Sequence, residues 1–210
     1  MPSLRLTGRR GLHTAAATAF TLAALALLLT ALIGPEPPPR PPTAALQAPA
    51  TSAPPGRPHP PATALPHSPP TRIHIPKLKT KTHVEHVGLA ADGTLAMPAD
   101  PDHAGWYTGS AAPGENGNAI LVGHLDSSSG PAAFYGLGAL RPGDRITVQR
   151  RDGRPAHFTV ATMAVYAKDA FPSQRVYAPT PQPHLTLITC AGWDDDRRTY
   201  RSNLVITAHP

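Results

Sequence analysis

Apolar and polar positions alternate in short runs over the C-terminal two thirds of the chain, with little sign of a helical period. This alternation predicts strands at 72–75, 82–87, 94–97, 118–123, 144–149, 157–166, 185–189 and 204–208. Turn signals separate them: Ala91-Asp92-Gly93, the run PGENG at 113–117, Arg141-Pro142-Gly143-Asp144 and Arg151-Asp152-Gly153. Only 131–140 and 171–176 read as short helical turns. About eight strands at this spacing predict an all-β domain, a closed barrel or a sandwich.

The N-terminal third has a different pattern. Residues 14–33 carry no charge, and a helix of about 20 apolar residues crosses the roughly 30 Å of a bilayer core. Arg5, Arg9 and Arg10 precede this segment, which places the N-terminus in the cytoplasm and the rest of the chain outside the cell membrane, as a single-pass protein. A cleaved signal peptide is the alternative; the segment's length, and the sequence GPEP after it in place of a small-residue cleavage site, favour an anchor. Residues 34–70 hold 15 of the 28 prolines. Such a stretch cannot pack a core and reads as a disordered spacer, extending on the order of 100 Å. The expected organisation is a cytoplasmic tail (1–13), a transmembrane anchor (14–33), a Pro-rich linker (34–70) and one folded domain (71–210).

Charge changes the picture only once it is located. The formal net charge is +6, but residues 71–210 hold 14 Lys and Arg against 12 Asp and Glu. The excess lies in the N-terminal third, where it serves membrane topology and linker solvation. Without a basic stripe interleaved with aromatics, nucleic acid is not an expected partner. A single cysteine, Cys190, excludes an internal disulfide and any multi-cysteine zinc site.

Cys190 ends the run Leu185-Thr186-Leu187-Ile188-Thr189. A lone cysteine is as compatible with a buried core position as with a nucleophile, and as a nucleophile it needs a partner, since a free thiol with a pKa of about 8.5 is mostly protonated at neutral pH. Of the 11 histidines, His103, His124 and His184 lie outside the predicted strand interiors, the spacer and the termini. His124 is best placed, at a strand end after Gly123, with Asp126 two residues on to fix its tautomer. Acyl transfer also needs donors for an oxyanion. Arg201 shares a strand face with Asn203, Val205 and Thr207; Arg197 and Arg198 are competitors, in an acidic loop where surface ion pairing is the ordinary role.

Together these residues resemble a family. TLITC at 186–190, GHLD at 123–126 and an arginine eleven residues after the cysteine are similar to the sortases, membrane-anchored cysteine transpeptidases of Gram-positive bacteria. GWY at 105–107, PGENGN at 113–118, LRPGD at 140–144 and YRSN at 200–203 resemble most the actinobacterial class F enzymes, with class E second. The resemblance implies an eight-stranded barrel with Cys190 ending the seventh strand, His124 after the fourth and Arg201 on the eighth. It implies attack by Cys190 on the Thr–Gly carbonyl of a C-terminal LPxTG-like sorting signal in a secreted protein, proton transfer by His124, and Arg201 holding the substrate backbone or oxyanion. Thr189, Asp126 and Asn203 are the expected substrate-binding residues. The acceptor implied is an amine of a peptidoglycan precursor or a pilin, without metal or organic cofactor. Ser202 and Asn203 separate the arginine from the last apolar run, which departs from many members. Two other readings remain open: a non-catalytic, membrane-tethered wall-binding barrel, and a thiol hydrolase.

Overall fold

The computed structural model describes residues 37–42 and 63–210. The apolar segment 14–33 lies outside the described residues, as does most of the Pro-rich stretch; among those described, no helix is long and apolar enough to cross a membrane. Ten strands form: β1 (Pro70–Ile75), β2 (Thr80–Val87), β3 (Ala104–Tyr107), β4 (Gly117–Gly123), β5 (Asp126–Ser127), β6 (Gly130–Pro131), β7 (Arg145–Arg150), β8 (Ala156–Ala167), β9 (Pro183–Asp194) and β10 (Thr199–His209). Eight of them close into a barrel in the order β1-β2-β3-β4-β9-β10-β8-β7, with β7 pairing back onto β1. β5 and β6 make a separate hairpin.

Closure leaves no unpaired strand edge and gives each strand an inner and an outer face. Ile73, Ile75, Leu121, Leu185, Leu187 and Ile206 fill the interior without solvent exposure. A second apolar cluster lies on the outer face, where Ile120 and Val122 of β4, Ile188 of β9 and Val205 of β10 share a surface. The connection between β8 and β9 folds over it through a 3-10 turn (Lys168–Ala170) and a one-turn helix (Ser173–Val176), and Phe171 and Val176 pack down. Asn118 locks this connection in place. Its side-chain amide donates to the Val176 carbonyl at 2.9 Å, while its oxygen accepts from Thr186 Oγ1 at 2.8 Å.

One predicted strand is absent and another was not foreseen. Residues 94–97 form no strand; only Leu89 and Leu95 make an isolated bridge. β3 takes the vacant place in the barrel, parallel to β2 and antiparallel to β4. Its Gly105 interrupts the apolar alternation, yet the missing side chain is what the packing requires, because a Cβ there would sit 2.7 Å from Val87 Cγ1.

The two strands that matter most run side by side in the same direction. β4 and β9 pair in parallel from Gly117 opposite Pro183 to Val122 opposite Ile188. Their C-terminal ends therefore emerge together at one end of the barrel.

The other end is closed by chain from within the expected spacer. The Leu65 amide donates to the Gly114 carbonyl at 2.8 Å, and the Leu65 side chain packs on the core. The buried Arg150 guanidinium donates to the carbonyls of Pro66 and Pro113 and to Asp152. Ser68 Oγ accepts the Asp152 amide at 3.1 Å. Residues 65–69 are thus strapped to the barrel ahead of Thr71, and the Pro66 carbonyl meets part of the hydrogen-bonding need of the buried Arg150 guanidinium, whose Nε lacks a partner among the described residues.

Candidate active site

Alternation along β9 decides where the thiol points. Leu185 and Leu187 face the interior and Ile188 the outer cluster, so Cys190, two residues beyond Ile188, faces outward. It is half-buried. β9 does not end at Cys190 but stays paired with β10 as far as Asp194 opposite Thr199. Asn203 lies directly across from Cys190, and Tyr166 of β8 lies directly across from Asn203. The three form one outward-facing row.

His124 reaches the same place from β4. The parallel register ends with Val122 opposite Ile188; carried two residues further, it brings His124 level with Cys190 at the shared end of the two strands. Gly123, just before His124, leaves room for the Phe134 ring, since a Cβ there would lie 2.6 Å from that ring. Thr189, expected to line the substrate pocket, is buried, and its hydroxyl donates to the Gly123 carbonyl at 2.9 Å. It ties the two strand ends together. The His124 ring lies with Nε2 3.1 Å from the Pro98 carbonyl. A carbonyl only accepts, so Nε2 carries the proton and Nδ1 is the nitrogen left free to take one.

Asp126 does not orient the imidazole. Its Oδ2 accepts the hydroxyl of Tyr200, from β10, whose ring stacks edge-on with Trp193 at 5.0 Å. Burial, then the hydrogen bond to Asp126, push the Tyr200 hydroxyl far above its ordinary range, so it stays a neutral donor. Arg201 lies on the outer face, two residues along from Asn203, with Nη1 3.4 Å from Asp194 Oδ2; Arg197 holds the same oxygen at 3.0 Å.

Lys168 is a site residue that the strand pattern missed. It follows Ala167, which pairs with Ser202, so it comes level with Arg201, and its positive charge acts on the Cys190 thiol. Burial pushes the thiol pKa up; the Lys168 charge pulls it down, and the Asp126 carboxylate adds to the upward push. The resting nucleophile is a protonated thiol beside a cation, which lowers the cost of making the thiolate. An alternating strand face ending in a lysine before a turn was the available signal.

The outward row, the histidine level with it and the apolar cluster alongside make a site for an extended chain at a thiol. The sortase domain family matches residues 73–210. This chain belongs to the sortase family. The sortase barrel is similar to that of sortase A from Corynebacterium diphtheriae (lid mutant; TM-score 0.53, 23% identity), covering 67% of this chain and 68% of that one. Sortase C1 from Streptococcus agalactiae is similar with a TM-score of 0.52 at 22% identity, over 66% of this chain and 65% of that one. The sortase D5 transpeptidase of Clostridium perfringens matches with a TM-score of 0.50 at 20% identity, over 67% and 77%. At these identities the likeness is one of fold. The chain has no match among curated proteins. Sortase membership implies a cysteine transpeptidase, and Cys190 is the sole cysteine of the chain.

Proposed function

We propose that this sortase cleaves a C-terminal LPxTG-like sorting signal between Thr and Gly and transfers the protein to an amine of a peptidoglycan precursor or a pilin. The placement of Cys190 and His124 at the common end of the parallel strands β4 and β9 carries the proposal.

In the proposed sequence, Cys190 Sγ attacks the threonine carbonyl carbon as the thiol proton passes to His124 Nδ1. The Lys168 ammonium stabilises the sulfur charge as it develops. The Asn203 amide, opposite the sulfur, and Arg201, once released from Asp194, bracket the carbonyl oxygen. Collapse breaks the C–N bond, His124 returns its proton to the leaving amine, and a thioester remains on Cys190. The acceptor amine then attacks, gives its proton to His124, and expels the thiolate.

The motifs GWY, PGENGN, LRPGD and YRSN support a class F assignment, with class E second. The charge-free segment 14–33, with arginines only on its N-terminal side, supports a single-pass anchor that holds the domain outside a Gram-positive cell membrane. Incubating residues 63–210 with a fluorogenic sorting-signal peptide tests the reaction. Cleavage that Cys190→Ala and His124→Ala each abolish is expected, together with a ligated product when a glycine-type amine is added. Release of acid alone in the presence of amine would indicate a hydrolase, and cleavage unaffected by Cys190→Ala would overturn the proposal.

A further inference from the structure

The catalytic imidazole is gripped by a peptide group whose other side is held by a carboxylate. The peptide bond joining Pro98 and Ala99 presents its carbonyl to His124 Nε2 at 3.1 Å. Its N–H donates to Glu85 Oε2 at 3.0 Å. The carbonyl and N–H of a trans peptide are rigidly coplanar and point in opposite directions, so one planar unit links the two side chains without slack.

Glu85 is itself fixed. It lies on β2, and its second oxygen, Oε1, receives His103 Nδ1 at 2.7 Å. His103 also faces Asp100, with Nε2 3.6 Å from Oδ2, and its ring stacks on His83 at 5.4 Å between centroids. The hydrogen bonds from His103 and then from the Ala99 amide hold the Glu85 carboxyl below its usual range, so it is a carboxylate at neutral pH. The loop also packs closely on the barrel: a Cβ on Gly105 would lie 3.3 Å from Pro98 Cδ.

We propose that Glu85 is a positioning residue for His124 and acts through the peptide group between Pro98 and Ala99. A carboxylate accepting the amide proton polarises the peptide, which makes its carbonyl oxygen a stronger acceptor for the imidazole Nε2–H. This is the task of the third member of a nucleophile–base–orienter set, in which a carboxylate fixes the tautomer and orientation of the base. Here the direct carboxylate neighbour, Asp126, is engaged by Tyr200, and the anchoring arrives by one peptide unit from β2. The arrangement holds Nε2 as donor and leaves Nδ1 to exchange protons with thiol and amine.

The inference rests on His124 as the proton-transfer group, but its test can be read without turnover. In 15N-labelled protein covering residues 63–210, the His124 Nε2–H and the Ala99 N–H are expected downfield and protected from exchange with water. Glu85→Gln keeps an oxygen near Ala99 but loses the charge, and Glu85→Ala loses both. Both variants are expected to move the His124 Nε2–H upfield and speed its exchange, Glu85→Ala more than Glu85→Gln. Peptide cleavage should fall on the order of tenfold in kcat with KM nearly unchanged, well short of the roughly 10²- to 10⁴-fold that general acid–base catalysis contributes. If Glu85→Ala does not fold, Glu85→Gln alone decides. A His124 Nε2–H signal unchanged in position and exchange in the folded variants would overturn the role of Glu85. Inactivity of the parent protein with these shifts present would instead overturn the proposed reaction.

Discussion

The Lys168 charge acts on the Cys190 thiol from across an intervening strand, since β10 lies between β8, which Lys168 follows, and β9. Its charge opposes the upward push of burial on the thiol, and Asp126 works in the other direction. Lys168→Met is therefore expected to raise the pH at which Cys190 becomes a thiolate, and Asp126→Asn to lower it. Alkylation by iodoacetamide near pH 7 should slow in the first variant and quicken in the second, because the reactive species is the thiolate. Equal rates in all three proteins would show that the lysine has no hold on the sulfur.

Arg201 is held by Asp194 in company with Arg197, yet only Arg201 shares the outward face of Asn203 and lies within two residues of it. Arg201→Lys should lose most of the peptide-cleaving activity, because an ammonium cannot reproduce the planar two-pronged contact of a guanidinium. Arg197→Ala should lose little. The reverse ranking in kcat/KM would transfer the substrate-holding role to Arg197.

Gly123 tests how closely His124 depends on local packing. A methyl at this position meets the Phe134 ring, which is fully buried and cannot swing into solvent. Gly123→Ala is expected to cost about 1–3 kcal/mol of stability, the usual range for overpacking. Activity should fall further than the thermal melt alone explains, because the strand end carrying His124 is displaced. A melting temperature within a degree of the parent would contradict this packing.

At the far end of the barrel, removing residues 63–70 takes away Leu65, Ser68 and the Pro66 carbonyl from around Arg150. A protein beginning at Thr71 should be less stable than one beginning at Thr63 by on the order of 2 kcal/mol or more, the cost of leaving buried donors unmet. Specific activity per folded molecule should change little, since the strap lies at the end opposite Cys190. Coincident melting curves would show that the strap contributes nothing.

Much of this was legible from the chain alone. Alternation located seven of the eight barrel strands, and the outward facing of Cys190, His124, Arg201 and Asn203 follows from counting by twos along strands whose inner residues are plainly apolar. What stayed hidden depends on contacts distant in sequence. β3 escaped because Gly105 reads as a turn until Val87 is seen above it. The strap escaped because prolines dominate its composition, while its function lies in backbone carbonyls that any residue could supply to Arg150. Asp126 looked like the partner of His124 because they are neighbours in sequence; Tyr200, 74 positions away, claims it instead. The Glu85 contact passes through main-chain atoms, which leave no side-chain signature.

The parallel pairing of β4 with β9 also sets when the thiol can become reactive during folding. The Cys190 and His124 ends are 66 residues apart, and a pairing of that span must close a long loop before it gains any contact, so it forms late. Until β9 docks beside β4, Cys190 has neither its base nor an ordered row of neighbours, so it cannot carry acyl transfer, even though its unburied thiol ionises more readily than in the barrel. The ladder that completes the barrel thus supplies the partners that turn a lone thiol into a catalyst.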